Sequence, residues 1–268
     1  MRHNIEWKVD LAISGPIAVD DAQSMLVEKG HRDPFWTPVS IKNAEHGVKI
    51  EVNARASSID EANSSAVYFV GQMLDVLCLR TDMPLQVSLF GPVFRPLSTH
   101  VKRIISGDEW QEAFQQGREH GIRRTTFARA LSWYRKGLGS EDPLDKLLAF
   151  WVSIEAIGSK YAKSSQKTEK GIVNKICDCF DQLWGDVSNW RVIPNEADWV
   201  NKYNNLRNDI AHGVISVDIK KIQEISTQLP KLRELAYVFL SDWEQQGVVI
   251  ESKKRKTKTQ TQQTLFPA

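Results

Sequence analysis

The chain has 268 residues, 41% hydrophobic and 9% aromatic, which is enough apolar material for packed cores and too much for a disordered polymer. Lys and Arg number 35 against 33 Asp and Glu, but Lys253, Lys254, Arg255, Lys256 and Lys258 outweigh Glu251 and give residues 251–268 a net +4, leaving the rest near −2. The basic balance is therefore a property of the chain end, and the body carries no excess charge that would mark it as a polyanion binder.

Ile5, Trp7, Val9, Leu11 and Ile13 alternate with polar neighbours up to Gly15-Pro16, the pattern of a half-buried strand, and Val48, Ile50, Val52 and Ala54 repeat it. From about Asp60 the spacing of Ala66, Val67, Val70, Met73, Leu74 and Leu77 predicts a helix, after which Leu85, Val87 and Leu89 read as a strand ending at Gly91-Pro92. Beyond residue 105 strand signals fade, and helices are predicted at 108–117, 122–136, 142–160, 168–184, 196–212 and 217–244, with Asp142 as an N-cap and Pro143 in the first turn of one of them. The fold class expected is α+β: an α+β domain over 1–105, a helical domain over 106–250, and a basic tail without structure over 251–268. No run of about 18 apolar residues is present, and Met1 to Glu6 lack the apolar core of a secretory leader. Cys78, Cys177 and Cys179 are odd in number and lack zinc or redox spacing, so a reduced, cytoplasmic chain with no membrane partner is expected.

The stretch Arg207-Asn208-Asp209-Ile210-Ala211-His212, followed by Gly213, holds the densest chemistry. Trp199, Val200, Tyr203, Leu206, Ile210 and Ala211 keep helical spacing, and Gly213 falls where a C-terminal cap glycine belongs, so His212 sits in the last turn. The helix dipole favours a cation there, and imidazole is the side chain that ordinarily titrates nearest neutrality. Five helical positions separate the two cationic groups by about 140°, so Arg207 and His212 do not share a face whereas Asn208 and His212 do. One chain alone makes an imperfect site, while two such helices crossing at a twofold axis supply both groups.

Two segments carry a resemblance. Ala130-Leu131-Ser132-Trp133-Tyr134-Arg135 running on to Leu147-Leu148-Ala149-Phe150-Trp151-Val152-Ser153-Ile154-Glu155-Ala156-Ile157, taken with Arg207 to His212, resembles the Apea-like branch of the HEPN superfamily over about residues 108–245. The resemblance implies an antiparallel helical bundle that forms a homodimer, with the Arg-x4–6-His motif of each subunit meeting at the interface to make one ribonuclease cleft. It further implies that Arg207 and His212 are catalytic and that Asn208 matches the polar residue often found after the arginine. The function expected is metal-independent cleavage of RNA by attack of a 2′-hydroxyl on the adjacent phosphate, His212 moving the proton and Arg207 holding the phosphate, in phage defence or a stress response. The alternative is a catalytically silent HEPN-like module that binds RNA or protein. A neutralising or regulatory protein partner also fits the resemblance, as does pairing with a nucleotidyltransferase, which would place the relevant chemistry on another chain.

Glu155 lies in an otherwise apolar helix and must be paired or near water, either orienting Arg207 or His212 or forming a structural ion pair. Arg118, Arg123, Arg124, Arg129 and Arg135 belong to the segment 95–137, where nine cations face four acids, a weak signal for tracking an RNA backbone beside the plainer reading of a solvated helix face. Trp133, Trp151, Trp184, Trp199 and Trp243 fall on apolar faces and read as core, whereas Trp36, in a predicted loop at 31–36, is the candidate exposed aromatic. The remaining histidines form no metal spacing and no phosphate-cradling glycine loop occurs, so neither metal nor cofactor is expected.

Overall fold

A computed structural model describes residues 5–30, 34–91, 101–214 and 218–265, with side chains described as far as 246. It divides into two compact units, Met1–Gly139 and Ser140–Ala268.

The first unit holds β1 (Ile5–Ser14), β2 (Ile17–Ala18), β3 (Gln23–Lys29), β4 (Phe35–Ala44), β5 (Gly47–Ala56), α1 (Ile59–Thr81), β6 (Gln86–Ser88), β7 (Arg103–Ile104), α2 (Gly107–Arg123) and α3 (Thr125–Gly139). Five of the strands form an antiparallel sheet in the order β3-β4-β5-β1-β6, and β2 pairs with β7 in parallel. The alternation in β1 buries Val9, Leu11 and Ile13, and Ile50, Val52 and Ala54 of β5 lie beside them under α1. Strands β3 and β4 carry no sequence expectation: Leu26 and Trp36 are exposed at 59% and 65%, and Pro38 lies inside β4. Trp36 is thus exposed as expected but stands in a strand opposite Glu28, not in a loop; His31, Arg32 and Asp33 lie outside the described residues.

Helix α1 explains where the first unit ends. Every residue from Phe69 to Leu79 is buried, including polar Gln72 and Asp75, because the sheet takes one side of the helix while α2 and α3 take others. The expected boundary at 105/106 is therefore moved to Gly139/Ser140: α2 and α3 belong with the sheet, since without them α1 would expose a second apolar face. The approach of α2 is close enough to require Gly117, where a Cβ would stand 2.6 Å from the Gln72 carbonyl oxygen. Ser58 caps α1, and Ser106 with Glu109 closes a capping box on α2.

The second unit is helical: α4 (Pro143–Tyr161), α5 (Ile172–Trp184), α6 (Ala197–Ala211) and α7 (Ile219–Leu265), with short 3-10 turns at Thr168–Lys170 and Val187–Asn189. Asp142 caps α4 as expected, its carboxylate accepting from Leu144 and Asp145 N–H at 2.7 and 3.3 Å. The helix expected over 168–184 begins later, at Ile172, after Gly171. Leu147, Phe150, Trp151 and Ile154 of α4 are buried together with Phe180 of α5 and Leu235, Phe239 and Trp243 of α7, where Phe180 meets Phe239 edge-to-face and Trp243 lies tilted against Tyr161 and Phe239. The tail, expected to lack structure from 251, is helical through Leu265: no glycine or proline interrupts 248–265, so the packed part of α7 propagates. Among the described residues no helix is long and apolar enough to cross a membrane.

Candidate functional site

Helix α6 presents three residues at four-residue intervals, Trp199, Tyr203 and Arg207, toward α4, which answers with Trp151 and Glu155 one turn apart. Trp199 and Tyr203 stack with ring centroids 3.8 Å apart, and Trp151 lies 6.4 Å from each. The Tyr203 hydroxyl donates to the Gln228 carbonyl of α7 at 3.3 Å, and burial, assisted by Glu196, pushes it up to about 12, so it stays a neutral donor. This aromatic layer fixes the rotation of α6 and delivers Arg207 to Glu155.

Arg207 Nη2 stands 3.3 Å from Glu155 Oε2, with the two side chains 26% and 24% exposed. Arg207 Nη1 donates to Asn208 Oδ1 at 2.9 Å. Glu155 Oε2 and Arg207 Nε are nevertheless buried with no hydrogen bond to a described residue, as is Trp151 Nε1. The pair is a charge contact without full hydrogen bonding, and the guanidinium keeps donor capacity in reserve. Glu155 thus meets the Arg207 face of the bundle, while the Asn208 side-chain oxygen is turned to Arg207.

His212 caps the other end of this short constellation. Gly213 adopts φ +65°, its N–H reaches Ile210 O at 3.1 Å, and Val214 N–H reaches Asp209 O at 2.9 Å, the paired bonds of a Schellman closure that only a left-handed residue permits. His212 N–H completes the last turn on Asn208 O at 2.9 Å, and the residue is exposed. Arg207 faces the neighbouring helix and His212 faces solvent, as their five-residue offset demands.

The weaker candidates divide. Arg118 is paired with Glu28 at 2.9 Å and donates to Gly30 O, Arg124 is buried with its guanidinium 4.3 Å over Phe127, and Arg135 is bound to Asp75 at 2.6 Å. Those three serve the interior of the first unit and are not a surface track; Arg123 and Arg129 are exposed, Arg123 beside Glu119. The residues that sequence reasoning missed as site-builders are Trp199 and Tyr203, although their four-residue spacing from Arg207 was the signal that shows them on its face. No protein-family model matches the chain, and no curated protein or solved structure matches it.

Proposed function

We propose that this protein is a metal-independent endoribonuclease of the HEPN type, acting as a homodimer on RNA. The observation that supports the reading best is the state of the two motif residues: His212 is exposed at a rigidly closed helix end, and Arg207 is pre-positioned by Glu155 and Asn208 while still short of hydrogen bonds. In the proposed reaction His212 takes the proton of an RNA 2′-hydroxyl, and the oxygen attacks the adjacent phosphorus. The P–O5′ bond breaks, leaving a 2′,3′-cyclic phosphate and a 5′-hydroxyl fragment that receives a proton. Arg207 holds two phosphate oxygens as charge accumulates, which a planar guanidinium does better than an ammonium. DNA, lacking the 2′-hydroxyl, is not a substrate. Phage defence or a stress response, with a neutralising or regulatory protein partner, is the setting this chemistry suits.

One observation favours a second reading, a silent RNA- or protein-binding module: the phosphate must compete with Glu155 for Arg207. Incubating a mixed RNA pool in EDTA with the protein and with His212→Ala, and analysing product ends, separates the two. Cyclic-phosphate ends from the unmutated protein alone support the nuclease; intact RNA that remains bound supports the module.

A further inference from the structure

The first unit contains a cavity of about 350 Å³ between α1, the end of α2 and α3, within the size range of small-ligand sites. Its floor is polar although deep. Arg135 donates through Nε to Asp75 Oδ1 at 2.6 Å, with the two side chains 16% and 9% exposed. Neither Nη of Arg135 hydrogen-bonds to any described residue, so four of the guanidinium's five donors are uncommitted inside a pocket. Both Nη groups stay open to the cavity, where an acceptor that enters can reach them. Arg129, on the same helix, also lines the cavity, is exposed and has no carboxylate partner among the described residues. Gln72 donates to the Tyr68 hydroxyl at 3.0 Å, which holds that 58% exposed ring at the rim, and Ser132 adds a hydroxyl opposite.

Asp75 balances one of the two arginines, so the cavity carries a net positive charge and calls for an anion. A carboxylate has two oxygens and is used up by one guanidinium fork. A phosphate monoester has three free oxygens, enough to take the fork of Arg135 and still reach Arg129. A flat ring at the mouth suits a sugar or base attached to that phosphate. We infer that this cavity binds a small phosphate monoester, its oxyanion held by Arg135 and Arg129 and its organic part against Tyr68. The site is independent of the motif on α6 and stands or falls without it.

Titration calorimetry of the full chain with AMP, ribose 5-phosphate and succinate tests it. At least one ester is expected to bind, with succinate on the order of tenfold weaker, since each carboxylate brings two oxygens to a guanidinium where the phosphate brings three to both. Binding of AMP alone identifies a nucleotide as the source of the phosphate; binding of both esters identifies the phosphate itself. A Cβ on Gly71 would stand 3.7 Å from Arg135 Nη2, an ordinary contact, so Gly71→Ala narrows the cavity beside that nitrogen and is expected to weaken binding severalfold with Tm unchanged or raised, as alanine favours a helix over glycine. Arg129→Gln, an exposed change that spares the fold, is expected to weaken binding severalfold. Failure of both esters to bind, equal binding of succinate, or affinity unaltered by Arg129→Gln overturns the inference.

Discussion

Lys29 offers a quantitative check on the first unit. The residue is 7% exposed, with its ammonium 4.9 Å over the Phe69 ring and 3.0 Å from the Asn53 carbonyl oxygen. The reason for that bond lies in the sheet: the β4–β5 register ends at Val39 opposite Val52, the next step sets Pro38 opposite Asn53, and proline has no N–H to give. Burial lowers the Lys29 pKa from 10.5 to about 8, a penalty on the charged form of about 3 kcal/mol at about 1.4 kcal/mol per pH unit. Below pH 8 that penalty acts in full. As pH rises from 8 toward 10.5 the native side chain gives up its proton while the unfolded one keeps it, so the native state gains stability. Lys29→Met removes the penalty but leaves the Asn53 carbonyl without its donor, a loss of about 1–2 kcal/mol, so a net stabilisation of about 1–2 kcal/mol is expected at pH 7. Urea unfolding at pH 7 and pH 10 measures it. The advantage should vanish or reverse at pH 10, and a variant equally destabilised at both values would refute the argument that desolvation of the ammonium outweighs its contacts.

Three further outcomes follow from the site and the core. Arg207→Lys should reduce RNA cleavage by about 100- to 1,000-fold and Glu155→Gln by about tenfold in initial-rate assays, because the first removes a bidentate phosphate donor and the second only its positioning charge; wild-type rates in Arg207→Lys would refute the phosphate-holding role of Arg207. Gly213→Ala forces a Cβ into φ +65° and should cost about 1 kcal/mol by thermal unfolding, with a larger relative loss of cleavage since His212 is the adjacent residue. Burial pushes the Cys78 thiol up to about 12 and the Cys177 thiol up to about 11, so a thiol reagent at pH 8 should find all three buried cysteines inert in the native protein and reactive in denaturant.

Local periodicity carried much of the fold. The helices over 107–211 were legible because Trp151, Ile154 and Ile157 or Trp199, Tyr203 and Arg207 recur at helical spacing, and caps such as Asp142 and Gly213 have local chemistry. Strands β3 and β4 were not legible: Leu26 and Trp36 are exposed apolar residues, and Pro38 normally argues against an interior strand. The division between units is not legible in the sequence for a related reason. Composition changes near residue 105, where strands give way to helices, but a domain closes where apolar surface is covered, and α1 needs α2 and α3 for that. Charge runs failed most clearly. Arg118 finds Glu28 and Arg135 finds Asp75 across long sequence separations, so a segment that reads as a cationic stripe is in large part internal wiring.

The offset between Arg207 and His212 makes the strongest demand on the proposed activity. Arg207 points at Glu155 of α4, whereas His212 is exposed at the end of α6. If a phosphate lies on Arg207 of one subunit, the imidazole that serves it comes from the other. Mixing Arg207→Ala with His212→Ala chains tests this, because a mixed dimer retains one Arg207 and one His212 on opposite subunits. Random assortment makes about half the dimers mixed, each with one intact pair where the parent has two, so about a quarter of the wild-type cleavage should return from two inactive proteins. The regained activity should fall on dilution as dimers dissociate. A mixture that exchanges subunits freely and stays inactive would show that the two residues do not act across a twofold axis.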